Sequence, residues 1–207
     1  MTSPTSRVLV LFAHPALHKS RVNRVLVGAA REVEGVTVHD LYEHYPDFDI
    51  AVAEEQKLLL DHDVFVMQHP FFWYSVPAIL KEWMDLVLEH GWAYGSEGTR
   101  LSGRRVMSAV STGGGEAAYA PAGLNRYTVR EFLRPIEQTA RLCKMVYLPP
   151  FLVQGTHRLS AEEIQAHAAD YRRLLEALRD GSIDAEGVSD LERINGNLDA
   201  LIGGGAS

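Results

Sequence analysis

The sequence predicts a three-layer α/β fold, with a five-stranded parallel sheet in the order 2-1-3-4-5 between two sets of helices. Short apolar runs alternate along the chain with stretches of 3.6-residue periodicity, as in a parallel sheet covered on both faces. The strongest runs are continuously apolar rather than alternating, so those strands have no solvated face. Right-handed crossovers between parallel neighbours leave few topologies, and 2-1-3-4-5 is the economical order for five strands.

Val8-Leu9-Val10-Leu11-Phe12 is one such run and reads as a central first strand. From Ser20 to Glu34, apolar side chains at Val22, Val25, Leu26, Ala29, Ala30 and Val33 draw one stripe down a helix, which Gly35 stops. Val36 to Leu41 alternates and gives a weaker second strand; Ile50 to His62 is helical in pattern; Val64 to Gln68 is the third strand. The clearest helix follows. Val76, Ile79, Leu80, Trp83, Met84, Val87 and Leu88 repeat at helical spacing, with Ser75 as N-cap and Gly91 as stop. Val106 to Ser111 is the fourth strand. Helices over Thr128 to Leu142 and Ser160 to Arg179 open with capping boxes, Thr128 with Glu131 and Ser160 with Glu163. Between them Met145 to Leu148 is the fifth strand, closed by Pro149-Pro150. One domain is expected over residues 1–181. Residues 182–207 carry a weak helical pattern from Val188 to Ile202 and end in Gly-Gly-Gly-Ala-Ser, which predicts an extension that is mobile or packed on a partner.

At 207 residues, 46% hydrophobic and 23% charged, the chain suits one soluble domain with a sizeable core. Twenty basic against 27 acidic side chains give a net charge of −7, which argues against nucleic acid and against a polybasic membrane anchor. The first apolar run, Val8 to Ala13, is too short for a secretory segment or a membrane span. A cytoplasmic protein without direct membrane insertion is expected, any association with the inner membrane coming through a partner. Cys143, the single cysteine, suits a reducing compartment, and its place on a buried-looking helix end argues against a nucleophile. His14 and His18 are four apart but lie in a proline-containing loop, and no metal-ligand spacing occurs among the nine histidines, so no metal is expected.

In an open α/β sheet ligands bind beyond the carboxyl ends of the strands, where the order reverses. Three loops meet there. The first, Ala13 to Asn23, runs into a helix N-terminus, whose free N–H groups and partial positive charge attract phosphate. Ser20 there is either a plain N-cap or a phosphate donor, Asn23 adds an amide and His14 an imidazole N–H. The loop is neither G-x-G-x-x-G nor a Walker loop. The second, His69 to Pro77, holds Phe71, Phe72, Trp73 and Tyr74, four consecutive aromatics that cannot all enter one core. They fit a flat ring system such as isoalloxazine, or an oligomer interface, or both. The third, Ser111-Thr112-Gly113-Gly114-Gly115-Glu116, lets backbone approach a ligand closely and leaves N–H donors free. Such donors would favour the negative charge that develops near flavin N1 and the C2 carbonyl on reduction.

These loops resemble those of the flavodoxin-like NAD(P)H dehydrogenase (quinone) family, nearest to the glutathione-regulated potassium-efflux ancillary oxidoreductases. The resemblance rests on His14-Pro15 to Asn23, Tyr45-Pro46-Asp47-Phe48, His69 to Pro77, Leu88 to Gly95, Thr112 to Glu116 and Leu148-Pro149-Pro150-Phe151. It implies FMN as cofactor, with FAD left open, and NAD(P)H as electron donor to a quinone or other small electrophile. It implies phosphate and ribityl contacts at His14, Ser20, Arg21, Val22 and Asn23. Ring contacts follow at Phe71, Phe72, Trp73, Tyr74, Ser111, Thr112, Gly113 and Gly114. Tyr119 falls where mammalian-type quinone reductases carry a tyrosine that stabilises the reduced flavin; the histidine six residues on is here Asn125. A homodimer with shared flavin sites is implied, and so is a second role as cytosolic partner of a potassium-efflux antiporter. A one-electron flavodoxin carrier fits less well, because the Ser/Thr-rich phosphate loop of true flavodoxins is missing.

Overall fold

The computed structural model describes residues 5–203; the first four residues and the terminal glycine run beyond Gly203 lie outside them. Strands β1 (Val8–Phe12), β2 (Val36–Asp40), β3 (Val64–Pro70), β4 (Arg105–Thr112) and β5 (Val146–Tyr147) lie in the order β2-β1-β3-β4-β5, all parallel. The expected topology is therefore present, with one difference. The fifth strand resumes after the prolines as β6 (Phe151–Gln154), also parallel to β4, so the sheet has six strands. Pro149 and Pro150 have no N–H to give, so the edge strand breaks there and starts again once donors return.

Successive residues of the strands feed two cores. Leu9, Leu11, Phe65 and Met67 pack with α2 (Leu41–His44), α3 (Val52–Leu60), α4 (Ala78–Val87), α5 (Val129–Phe132) and α6 (Arg134–Leu142). Val8, Val10, Phe12, Val64 and Val66 pack with α1 (Val22–Arg31) and α7 (Ala161–Arg179). The helix expected over 128–142 is two helices, because Pro135 cannot donate to the carbonyl four residues back and its ring clashes there. Both predicted capping boxes form. Ser75 does not cap α4, which starts three residues later after Pro77.

The segment after Gly181 departs most from expectation. It packs on its own domain: Val188, Ile194 and Leu198 are buried in the α1–α7 core, and among the described residues of the segment only Leu198–Gly203 is helical, as α8. In the connection after β2, the buried Glu55 carboxylate accepts from Trp83 Nε1 (2.7 Å) and the Tyr45 hydroxyl (2.5 Å), pinning the turn that leads to Phe48.

Candidate functional site

A cavity of about 490 Å³ opens at the carboxyl ends of β1, β3, β4 and β6, the size of a small-ligand pocket. Its first wall is the loop into α1. Ser20 Oγ accepts from the Asn23 N–H (3.0 Å) and so caps the helix, whose first residues Arg21, Val22 and Asn23 border the cavity. His14 is nearly buried, and burial lowers its pKa, keeping it neutral. Its Nδ1 accepts from the Ala16 N–H (3.1 Å), so the proton sits on Nε2, the nitrogen left to donate to a ligand. Arg21 donates to the Leu159 carbonyl (2.9 Å), closing the gap between α1 and the loop after β6.

Phe71 and Phe72 supply the aromatic wall, with Phe72 edge-on to His14 at 6.0 Å. Phe72 to Ser75 form a tight turn closed by Ser75 N–H to the Phe72 carbonyl (3.0 Å), with Trp73 and Tyr74 at φ 50° and 63°. Glycine or asparagine usually fills such positions, so two bulky aromatics here carry backbone strain of about 1–3 kcal/mol each. The turn throws Trp73 outward, where it is 93% exposed. Tyr74 stacks on Phe132 (5.0 Å, 26°) and donates to Asn125 Oδ1 (3.2 Å). Neither Trp73 nor Tyr74 lines the cavity of the single chain.

The third wall is the end of β4. Asn23 Nδ2 donates to Ser111 Oγ (2.7 Å), tying the first turn of α1 to this strand, while Asn23 Oδ1, also buried, has no partner. Thr112 Oγ1 donates to the Gly114 carbonyl (2.7 Å), which also accepts from the Gly155 N–H. Among the described residues no backbone carbonyl accepts from the N–H of Gly113 or Gly114. A Cβ on Gly113 would lie 2.9 Å from His157 Nε2, and one on Gly114 3.0 Å from the Tyr119 ring. Tyr119 packs its ring beside Gly114 and against Phe71 (ring centroids 6.0 Å). It lines a neighbouring cleft rather than this cavity.

Thr156 and His157, in the loop after β6, complete the lining and were not expected. With the fifth strand stopped at Leu148, that loop could not be recognised as a strand-end loop; the restart at Phe151 makes it one. The lining contains Lys19, Arg21 and two histidines and no carboxylate, in a chain of net charge −7. Free N–H donors, an unpaired buried amide oxygen as acceptor, close-approach glycines and an aromatic wall are features that suit a ligand carrying a phosphate, hydroxyls and a flat ring. Among the described residues no three His, Cys, Asp or Glu side chains converge as a metal site, and no helix is long and apolar enough to cross a membrane.

The family model for the flavodoxin-like fold matches residues 6–175. The glutathione-regulated potassium-efflux system ancillary protein KefG of Cronobacter sakazakii is 47% identical over 175 residues, 84% of this chain and 95% of that one. The general stress protein 14 of Treponema denticola, solved in complex with FMN, is 42% identical with a TM-score of 0.80, covering 83% and 99% of the two chains. An NADPH-quinone reductase from P. pentosaceus is 33% identical with a TM-score of 0.74, covering 81% and 96%. Sequence, topology and strand-end loops agree: the chain belongs to the flavodoxin-like fold family.

Proposed function

We propose that the chain is an FMN-dependent NAD(P)H:quinone oxidoreductase working by a ping-pong mechanism. The observation that carries this is the cationic, carboxylate-free cavity whose aromatic wall faces a glycine loop with free N–H donors. When bound, FMN supplies the hydride chemistry, taking two electrons from NAD(P)H and returning them to a quinone at one site. The α1 N-terminus, Ser20, Arg21 and Lys19 would hold the phosphate, and Asn23 and His14 Nε2–H the ribityl hydroxyls. Phe71 and Phe72 would orient the ring and exclude water from one face. Gly113 and Gly114 N–H and the Tyr119 hydroxyl would donate to the ring edge that gains negative charge. The solved relatives named as an FMN complex and an NADPH-quinone reductase support this reading. Purified protein offered FMN or FAD should bind one of them at micromolar levels, with the flavin absorbance bands, and then turn over quinone with NAD(P)H. Absence of binding to either flavin sinks the proposal.

A second role is favoured by the 47% identity to a potassium-efflux ancillary protein: a cytoplasmic partner of such an antiporter, held at the membrane by that partner alone. Co-purification with an antiporter tests it. The exposed Trp73 and its strained turn further suit a homodimer in which the aromatic loops complete each other's sites.

A further inference from the structure

The segment beyond α7 lies outside the family match, which stops at residue 175, yet it is fastened at several points around the Tyr119 loop. Asn195 behaves as a one-residue strand partner for β6: its Oδ1 accepts from the Leu152 N–H (3.1 Å) and its Nδ2 donates to the Leu152 carbonyl (2.9 Å). The Ile194 N–H donates to the Pro150 carbonyl (3.0 Å), and the Arg130 guanidinium, from α5, donates to the carbonyls of Ser189 and Leu191. Between these anchors Arg193 reaches back across β6. It pairs with Glu116 (2.9 Å) and donates to Gln154 Oε1 (3.3 Å). Glu116 starts the one-turn helix whose closing bond, Tyr119 N–H to the Glu116 carbonyl (2.9 Å), fixes where Tyr119 stands. Arg193, Asn197 and Tyr119 line the same cleft of about 520 Å³.

We infer that residues 188–197 act as a strap in which Arg193 is a positioning residue, holding the Glu116 turn so that the Tyr119 hydroxyl meets the charged edge of the bound flavin. The inference rests on the donor role proposed for Tyr119. An exposed ion pair contributes little to global stability, so the effect belongs to the loop rather than to the fold.

The test uses the full chain. Without flavin, Arg193→Gln should speed hydrogen exchange at the Tyr119 and Asn125 amides, which close this loop, about threefold, leaving β1 and β3 amides unchanged. With FMN bound, the same variant should slow flavin reduction by NAD(P)H about threefold at unchanged FMN affinity. The exchanged pair Glu116→Arg with Arg193→Glu should recover at least half of the loss. In a Tyr119→Phe background, Arg193→Gln should change nothing further. Asn195→Ala, which loosens the strap at its anchor, should give the same pattern. Unchanged exchange overturns the inference. So does faster exchange with an unchanged reduction rate, or an equal loss in the Tyr119→Phe background. A chain that binds no flavin defeats the oxidoreductase reading instead, and the exchange measurement still decides whether the strap holds the loop.

Discussion

Asn23 Nδ2 donates to Ser111 Oγ across 2.7 Å, joining the first turn of α1 to the end of β4 inside the cavity wall. Both groups are buried, so removing one strands the other. Asn23→Ala should cost about 1–3 kcal/mol, which in a chain this long lowers Tm by roughly 2–4 °C per kcal/mol. It should also weaken FMN binding, because the unpaired Oδ1 is lost with it. Calorimetry with and without FMN checks both, and a larger loss of Tm with FMN present than without it is expected.

Gly113→Ala separates space from stability. Its Cβ would meet only the tip of an exposed histidine, which can rotate away. The variant should fold normally, yet the methyl would fill the approach to the glycine N–H donors and raise the FMN dissociation constant roughly tenfold, about 1.4 kcal/mol. Fluorescence titration measures this. Gly123→Ala is the contrast: its Cβ would lie 2.3 Å from the Ala117 carbonyl, so the backbone of the Tyr119 loop must shift.

Tyr119→Phe removes one donor while the backbone donors of Gly113 and Gly114 remain. A lost donor at a developing charge costs up to about 3–4 kcal/mol alone and less when others persist. The reductive half-reaction should slow roughly tenfold, about 1.4 kcal/mol, with FMN affinity little changed. Stopped-flow bleaching by NAD(P)H reads it, and an unchanged rate would leave the tyrosine as packing against Phe71 alone.

His69, at the end of β3, is wholly buried; burial pulls its pKa down to about 4 from 6.5, its Nδ1 lies 3.1 Å from the Pro70 carbonyl, and its Nε2 has no partner. The native state therefore resists a proton that the unfolded chain accepts. Stability from this group is whole above about pH 6.5 and is lost as pH falls towards 4, at up to about 1.4 kcal/mol per unit and about 3 in all. Urea midpoints across that range should show this slope in the wild type and a shallower one in His69→Gln.

Trp73 holds φ 50° with its ring in solvent, an arrangement with no benefit to an isolated chain. Light scattering should give twice the chain mass. Trp73→Gly should relieve about 1–2 kcal/mol of backbone strain while shifting the protein towards monomer. A wild-type monomer that still turns over quinone refutes the shared-site dimer.

Most of the sheet was legible because parallel strands buried on both faces announce themselves as unbroken apolar runs, as at Val8–Phe12 and Val64–Gln68. The start of α1 was legible for a similar reason: Ser20, Arg21 and Asn23 stand where a helix begins, and a cap signal is local. His157 was not, because its position depends on β6, and a proline pair reads as the end of a strand rather than an interruption. The docking of Ile194 and Asn195 was equally hidden. One buried isoleucine and one amide on a sheet edge leave no periodic trace, and only the tertiary arrangement shows what they face. Tyr119 shows a further limit: sequence places it near the glycine loop but not on which side of it.

The interrupted edge strand has a bearing on how this protein behaves when crowded. A parallel sheet ending in a short strand offers a row of backbone groups to which another chain can add, the usual route to self-templated assembly. Here that row is broken twice: Pro149 and Pro150 offer no N–H, and Leu152 is already occupied by the Asn195 side chain. The same few residues that restart the strand thus leave its margin a poor seed for fibrous aggregation.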